Sequence, residues 1–548
     1  MRSQWVASML LVAACVGVDH SAAREIRQSP SCLVTTVGGD LQGIDNGASC
    51  SFLGVPFAAP PVDALRWRPP QTAAPWSPSV LPATTPPPSC PNVFTGTPSG
   101  SEDCLKLNIW VSDPPPTHPA PVIVWLHTGG FSAASANFAS HNGRRLAEEQ
   151  GVIIVAPNYR HGPFGFLAHA ALAGEDPAFP SAGNYGLLDQ RMALNWVRDN
   201  IAYFGGDPWN VTIAGTSAGG QSVGLHLVSP GSRGLFQRAI IQSAFPTLRT
   251  PKKTEADAQG QRFANALGCI DSTTVLACMR SKTRNEVLLA LTQATEQVVE
   301  PLNRVHWRPI VDGVVIPDEP RTLFERRAFH EVPLIVGSNR DEGWGNFITR
   351  SFPTGVSVAQ YESWVVSEFG DEGAEVLTAY PPAAYATPME AMARVVGDGQ
   401  FTCEARRLAR LVQHTGEPVF LYSYEYQIDD LALDHVSHGV ESNIIFGNNY
   451  VPPQFATHPL DDSDLALFKA MSQYWTTFAA LGSPNREPTH LTRWPAFNRP
   501  NERGGGPDLS LVFSTTIRPD ERPRTTNCDF WGERFLRPMT LDVPASMP

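Results

Sequence analysis

Six stretches of the chain are apolar without interruption: "PVIVWLH" (121–127), "GVIIVAP" (151–157), "VTIAG" (211–215), "RAIIQS" (238–243), "VPLIVGS" (332–338) and "PVFLYSY" (418–424). They are short, rich in β-branched residues and lack polar alternation. That pattern predicts strands buried on both faces of a mostly parallel sheet. Between them lie stretches of helical period. "LLDQRMALNWVRDNIAYFGG" spaces Leu188, Met192, Trp196 and Ile201 for one helix face, with Gly205 placed to stop it. "DDSDLALFKAMSQYWTTFAALGSPN" begins acidic, runs apolar, and ends at Gly482 and Pro484. Buried strands alternating with helices predict an α/β architecture with a largely parallel central sheet. Nearer the N-terminus, "CLVTTVGGDLQGIDNGASCSFLGVPFA" reads as short strands turning at Gly38-Gly39 and Asn46-Gly47. Pairing Cys32 with Cys50 would staple that hairpin.

Composition adds limits. The 548 residues are 42% hydrophobic and 17% charged, with a net charge of −12, which leaves no basic footprint for nucleic acid. The start, "MRSQWVASMLLVAACVGVDHSAAR", has a basic residue, an apolar run too short to span a membrane, and a small-residue site at Ser21-Ala22-Ala23. We read residues 1–23 as a signal peptide and 24–548 as a single domain, secreted or periplasmic. The competing reading is a bacterial lipoprotein signal, with Cys15 lipidated and the protein anchored to a membrane. Nine cysteines become eight once Cys15 is removed or lipidated, an even number suited to disulfides. The sequence has no Cys-x-x-Cys pair to suggest zinc. Asn210-Val211-Thr212 is a glycosylation sequon, but it abuts a predicted buried strand and is expected to stay unmodified.

The chemistry centres on Gly215-Thr216-Ser217-Ala218-Gly219. Alone, Gly-x-Ser-x-Gly is a weak pattern. Here a predicted buried strand ends at Gly215 and a helix-compatible run follows, the setting of a nucleophile elbow. The competing reading makes Ser217 a helix cap. A serine hydroxyl needs a base, and the base an orienting acid. "VPLIVGSNRDEGWGNF" offers Asp341 and Glu342; "LDHVSHGVESNIIFG" offers His435 and His438. Periodicity does not choose within either pair. "VIVWLHTGGFSAAS" places consecutive glycines after a strand, where backbone N–H groups can approach an oxyanion.

With these residues in hand, the chain resembles the type-B carboxylesterase/cholinesterase family of α/β-hydrolases. The landmarks run the length of the mature chain: "FLGVPFAAPPVDALRWRPP", "SEDCLKLNIW", "HTGGF", "NYGLLDQRMALNWVRDNIAYFGGDPWNVTIAGTSAGG", "VDGVVIP", "VGSNRDEG", "SHGVESNIIFG", "FAALGSPN" and "CDFW". The resemblance implies an α/β-hydrolase fold with helical insertions, and hydrolysis of a small-molecule carboxylic ester without metal or cofactor. It implies Ser217 as nucleophile, His438 as base, Glu342 as acid, and the N–H groups of Gly129, Gly130 and Ala218 as oxyanion donors. It also implies disulfides Cys90–Cys104, Cys269–Cys278 and Cys403–Cys528, leaving Cys32–Cys50 as an additional pair, and a structural ion pair of Glu102 with Arg66. Trp307, Trp344, Phe131 and Phe347 lie near segments that shape the family's gorge, with core packing as the alternative role.

Three departures from the family pattern stand out. Thr216 stands where the family usually has glutamate, which removes a negative charge beside the serine. Thr128 replaces the first oxyanion-loop glycine, and a β-branched residue disfavours positive φ. The Cys90–Cys104 loop has no tryptophan to stack on a choline-like cation. Thr216 and the missing tryptophan together point away from cationic esters toward neutral ones. Other readings are a catalytically silent adhesion or binding protein, as in neuroligins, and amidase, thioesterase or lactonase activity on the same residues.

Overall fold

A computed structural model describes residues 32–532, apart from 94–95, 297–306, 346–347, 349–351, 353, 429–434, 449, 452–455, 458–459, 489, 498–507 and 522–524. The expected signal segment, Cys15 and Phe347 lie outside the described residues.

All six apolar runs form strands of one eleven-stranded sheet. In chain order its strands are β1 (Ile44–Asp45), β2 (Ser49–Pro56), β3 (Lys106–Ser112), β4 (Ala120–Leu126), β5 (Ile153–Pro157), β6 (Gly206–Thr216), β7 (Arg238–Gln242), β8 (Leu334–Asn339), β9 (Val419–Tyr424), β10 (Ser510–Phe513) and β11 (Arg518–Asp520). Their spatial order is β11-β10-β9-β8-β7-β6-β4-β5-β3-β2-β1. The centre, from β10 to β5, is parallel throughout, and both margins are antiparallel.

The sheet is covered on both faces, which is why its central strands read as unbroken apolar runs. Val122, Val124 and Leu126 of β4 join a core that includes Leu188 and Val197 of α1 (Tyr185–Asn200). Ile123 and Trp125, pointing the other way, join a second core with Phe468, Trp475 and Phe478. These last three lie on the helix Asp462–Leu481, which Asp461 caps at its start and Gly482, at φ +74°, ends. Gly205 stops the extension of α1 at φ +83°, as its position predicts.

Four disulfides are present: Cys32–Cys50, Cys90–Cys104, Cys269–Cys278 and Cys403–Cys528. The first differs from the expected hairpin staple. Cys32 precedes a strand of a separate three-stranded sheet, whereas Cys50 lies in β2, so the bond ties the small sheet to the large one. Arg66 and Glu102 make the expected bidentate pair at 2.7 and 2.6 Å, and Arg66 also donates to the Lys282 carbonyl. The Asn210 amide is engaged by Arg238 and the Ala480 carbonyl. Among the described residues no helix is long and apolar enough to cross a membrane.

Candidate active site

Parallel strands end together, and in open α/β sheets ligands bind beyond those carboxyl ends. Leu126 of β4 pairs with Gly215 of β6, Thr216 with Gln242 of β7, and Gln242 with Gly337 of β8. The segments that leave these neighbouring ends carry Gly129-Gly130, Ser217, and Asp341-Glu342. The register thus gathers candidates that are more than 200 residues apart in sequence.

Ser217 occupies a sharp turn between β6 and α2 (Ala218–Val228), at φ +58° and ψ −122°. For a residue with a side chain that conformation costs about 1–3 kcal/mol, and surrounding structure must enforce it. Two contacts do so. The Ser217 N–H donates to the Gln242 carbonyl at 2.9 Å, and its own carbonyl accepts from Gln221 N–H at 2.7 Å. Glycine is required at 219 because a Cβ there would strike the Leu126 carbonyl oxygen. The Ser217 side chain makes no capping hydrogen bond to α2, contrary to the helix-cap reading.

The choice within each ambiguous pair now has a geometry. His438 Nδ1 donates to Glu342 Oε2 at 2.5 Å, and Glu342 Oε1 accepts the Asn339 N–H at 2.7 Å. Asp341 is committed elsewhere: it pairs with Arg340 and Arg394 and accepts the Val436 N–H. His435 packs at a tilt against Trp344, ring centroids 3.8 Å apart, and both line a cleft of about 190 Å³ with Arg340, Asp341 and Arg394. Burial pulls the His438 pKa down, but the charges of Glu342 and Glu441 and the Glu342 hydrogen bond outweigh it, and the net shift is upward. Phe401 lies against the imidazole at 4.8 Å and Phe245 against Phe401 at 5.6 Å, an aromatic wall on that side. Phe401 sits in one turn of π-helix, Asp398–Thr402, a local irregularity common at functional sites.

The glycine loop turns sharply after β4. Gly129 and Gly130 have φ of +113° and +59°, and a Cβ on Gly129 would collide with the Ala133 carbonyl. Phe131, at φ +59°, follows them and offers its carbonyl to the Gly162 N–H at 2.6 Å. Thr128 is not among the positive-φ residues, so its branched side chain needs no relief there. His127 is buried and its pKa is lowered to about 3 by desolvation and by His161. Its ring stacks on Tyr159 at 4.1 Å, its Nδ1 donates to the Thr128 carbonyl, and the Tyr159 hydroxyl donates to the His127 carbonyl. The proposed oxyanion loop therefore starts from a rigid, uncharged anchor. Phe131 and Trp307 are buried, edge-on to Phe166 and Phe263, and pack in the core.

A model of the carboxylesterase family matches residues 30–531. The chain belongs to the carboxylesterase family. It is a serine carboxylic ester hydrolase with the α/β-hydrolase fold, and its substrate is a small-molecule ester. In this carboxylesterase, Thr216 needs a new description. It is 1% exposed, and its hydroxyl faces Glu441 at 3.3 Å and the Ser442 hydroxyl at 3.1 Å. Position 216 lacks a carboxylate of its own but has a buried one as its neighbour, Glu441. Sequence reasoning missed Glu441, Gln242, Asn339 and Phe401. For Glu441 a signal existed: it is the sole charged residue in the "VESNIIF" stretch.

Proposed function

We propose that this carboxylesterase cleaves neutral esters through Ser217, His438 and Glu342. Ser217 Oγ attacks the ester carbonyl while His438 Nε2 takes its proton. The tetrahedral intermediate collapses, the alkoxide leaves with that proton, and an acyl-serine remains. Water, deprotonated by His438, then attacks the acyl group; the bond to Ser217 Oγ breaks, Oγ takes the proton back from His438, and the acid is released. Glu342 holds the imidazole with its proton on Nδ1 and its lone pair on Nε2, and stabilises the imidazolium. The N–H groups of Gly129, Gly130 and Ala218 receive the developing oxyanion, and losing one such donor costs about a hundred- to a thousandfold in rate.

The observation that carries this reading is the 2.5 Å contact of His438 with Glu342, together with a serine held at positive φ on the elbow. The preference for neutral esters is supported by two features. The residue next to Ser217, Thr216, carries no charge, and the Cys90–Cys104 loop lacks a tryptophan. Four disulfides suit an oxidising compartment, which supports export.

The test is labelling by a fluorophosphonate with hydrolysis of p-nitrophenyl esters. Wild type should label once, at Ser217, and turn over; Ser217→Ala should do neither. A wild-type protein that takes no label and cleaves no ester would overturn the reading in favour of a silent binding protein. Uncharged acyl esters should be preferred to choline esters of the same acyl group, and the opposite ranking would overturn the neutral preference.

A further inference from the structure

One buried carboxylate has no part in the proposed chemistry. Glu441 opens the short helix Glu441–Phe446, three residues beyond His438, and is 0% exposed. Its Oε1 accepts from Thr216 Oγ1 at 3.3 Å and from Gln242 Nε2 at 3.0 Å; its Oε2 accepts from Asn339 Nδ2 at 2.6 Å. Both amide orientations have independent support. Gln242 Oε1 accepts the Trp475 indole N–H at 3.0 Å, a group that can only donate. Asn339 Nδ2 also donates to the Ser437 carbonyl at 2.8 Å, a group that can only accept. Three donors therefore converge on Glu441, and an ionised carboxylate can accept from all of them.

Between them the three donors reach every member of the triad. Thr216 immediately precedes Ser217. Gln242 also accepts the Ser217 N–H through its backbone carbonyl. Asn339 holds Glu342 through its backbone N–H, and through its side chain holds the carbonyl of Ser437, the neighbour of His438. We propose that Glu441 is a positioning residue that keeps Ser217, Glu342 and His438 in mutual register by gripping the ends of three adjacent strands and the histidine loop. The inference rests on the triad reading above. In it, Thr216 is the arm by which the carboxylate reaches the nucleophile's turn, a link that its hydroxyl makes possible.

Glu441 acts through charge as well. The titratable groups facing it are Glu342, His438, Tyr422 and Tyr424. Its negative charge raises the pKa of His438 and of both phenols, and its own pKa is raised by burial and by Glu342. Removing that charge lowers the His438 pKa, so neutral imidazole persists to lower pH.

The test uses the full-length protein, with active sites counted by phosphonate titration so that misfolded molecules drop out. Glu441→Gln turns one acceptor into an NH₂ group that faces other donors. It should lower kcat about 10–100-fold, the scale of a small misplacement of reacting groups. KM should change by less than about threefold, and the acidic limb of kcat/KM should move to lower pH. A wild-type kcat per active site, or an unmoved limb, would overturn the proposal. If that variant does not fold, Thr216→Val carries the test. It removes one hydroxyl and should lower kcat about 2–10-fold, the worth of one hydrogen bond, with recovery in Thr216→Ser. An unchanged kcat, or a loss that serine does not restore, would overturn the proposal. Ser217→Ala separates the two levels: turnover surviving in that variant removes the triad itself, whatever Glu441 does.

Discussion

Replacing Glu342 by glutamine tests the site at the level of a single proton. Glu342 is fully buried, and its two oxygens have different partners: Asn339 N–H on Oε1 and His438 Nδ1 on Oε2. Glutamine has the same shape but keeps only one acceptor oxygen. The Asn339 N–H can only donate, so the amide oxygen must stay on its side. The alternative buries two facing donors, a penalty of about 1–3 kcal/mol. The NH₂ group then faces His438 Nδ1, and the ring answers by placing its lone pair there and its proton on Nε2. That tautomer cannot accept the proton of Ser217. The corresponding change in another serine hydrolase, Asp to Asn behind the histidine, lowers kcat about 10⁴-fold, equivalent to about 5.5 kcal/mol in the barrier. We expect Glu342→Gln to lose kcat on that scale with little change in KM. Stability should hold or rise, because the Glu342 charge that presses on Glu441 is gone. Steady-state kinetics on a p-nitrophenyl ester, with a thermal melt alongside, decide it. A variant keeping more than about a tenth of wild-type kcat would refute the tautomer argument. A loss residing in KM would show that Glu342 serves binding.

Further outcomes follow from the same geometry. His438→Ala should abolish nearly all turnover and His435→Ala should leave most of it, since His435 packs against Trp344 while His438 holds the contact with Glu342; kinetics showing the reverse would exchange their roles. Cys403–Cys528 closes a loop of 125 residues and Cys269–Cys278 one of 9. Loop-closure entropy makes the first worth about 5 kcal/mol and the second about 3, so urea melts of paired Cys→Ala variants should show the larger loss for the first. Burial holds the pKa of His127, His141 and His226 down to about 3 and that of His161 to about 4, against 6.5 ordinarily. Their lowered folded pKa gives stability that is complete above pH 6.5 and is lost as pH falls toward those values. Each contributes a slope of about 1.4 kcal/mol per pH unit, so melts at pH 7 and 5 should be less pH-sensitive by that slope in His226→Gln. An equal slope in both proteins would contradict it.

The strands were legible because they are buried on both faces. A strand covered by helices on either side has no reason to alternate, so each appears as a short continuous run of apolar residues. The ends of the long helices were legible because Gly205 and Gly482 take left-handed conformations that other residues resist. The elbow was legible for a related reason, since the close approach of β6, α2 and the end of β4 forces small residues around Ser217. The Cys32–Cys50 bond was foreseen as a pair, but its role was misread. Local sequence does not reveal that a chain leaves one sheet and enters another between two cysteines.

By itself the sequence determined the buried strands, the small residues of the turns, and the residue types that can carry nucleophilic chemistry. Those features answer to local requirements: burial, backbone conformation and side-chain reactivity. Local pattern did not separate His438 from His435 or Glu342 from Asp341; the family resemblance named one of each pair, and the tertiary structure supplied the contact that joins them. Adjacent residues on a loop point different ways, and their partners come from strands far away in the chain. The same holds for Thr216. In the sequence it is a missing charge beside the nucleophile. In the fold its hydroxyl meets a carboxylate 225 residues away, because parallel register brings the ends of β6, β7 and β8 to one edge, where the segment after His438 closes over them.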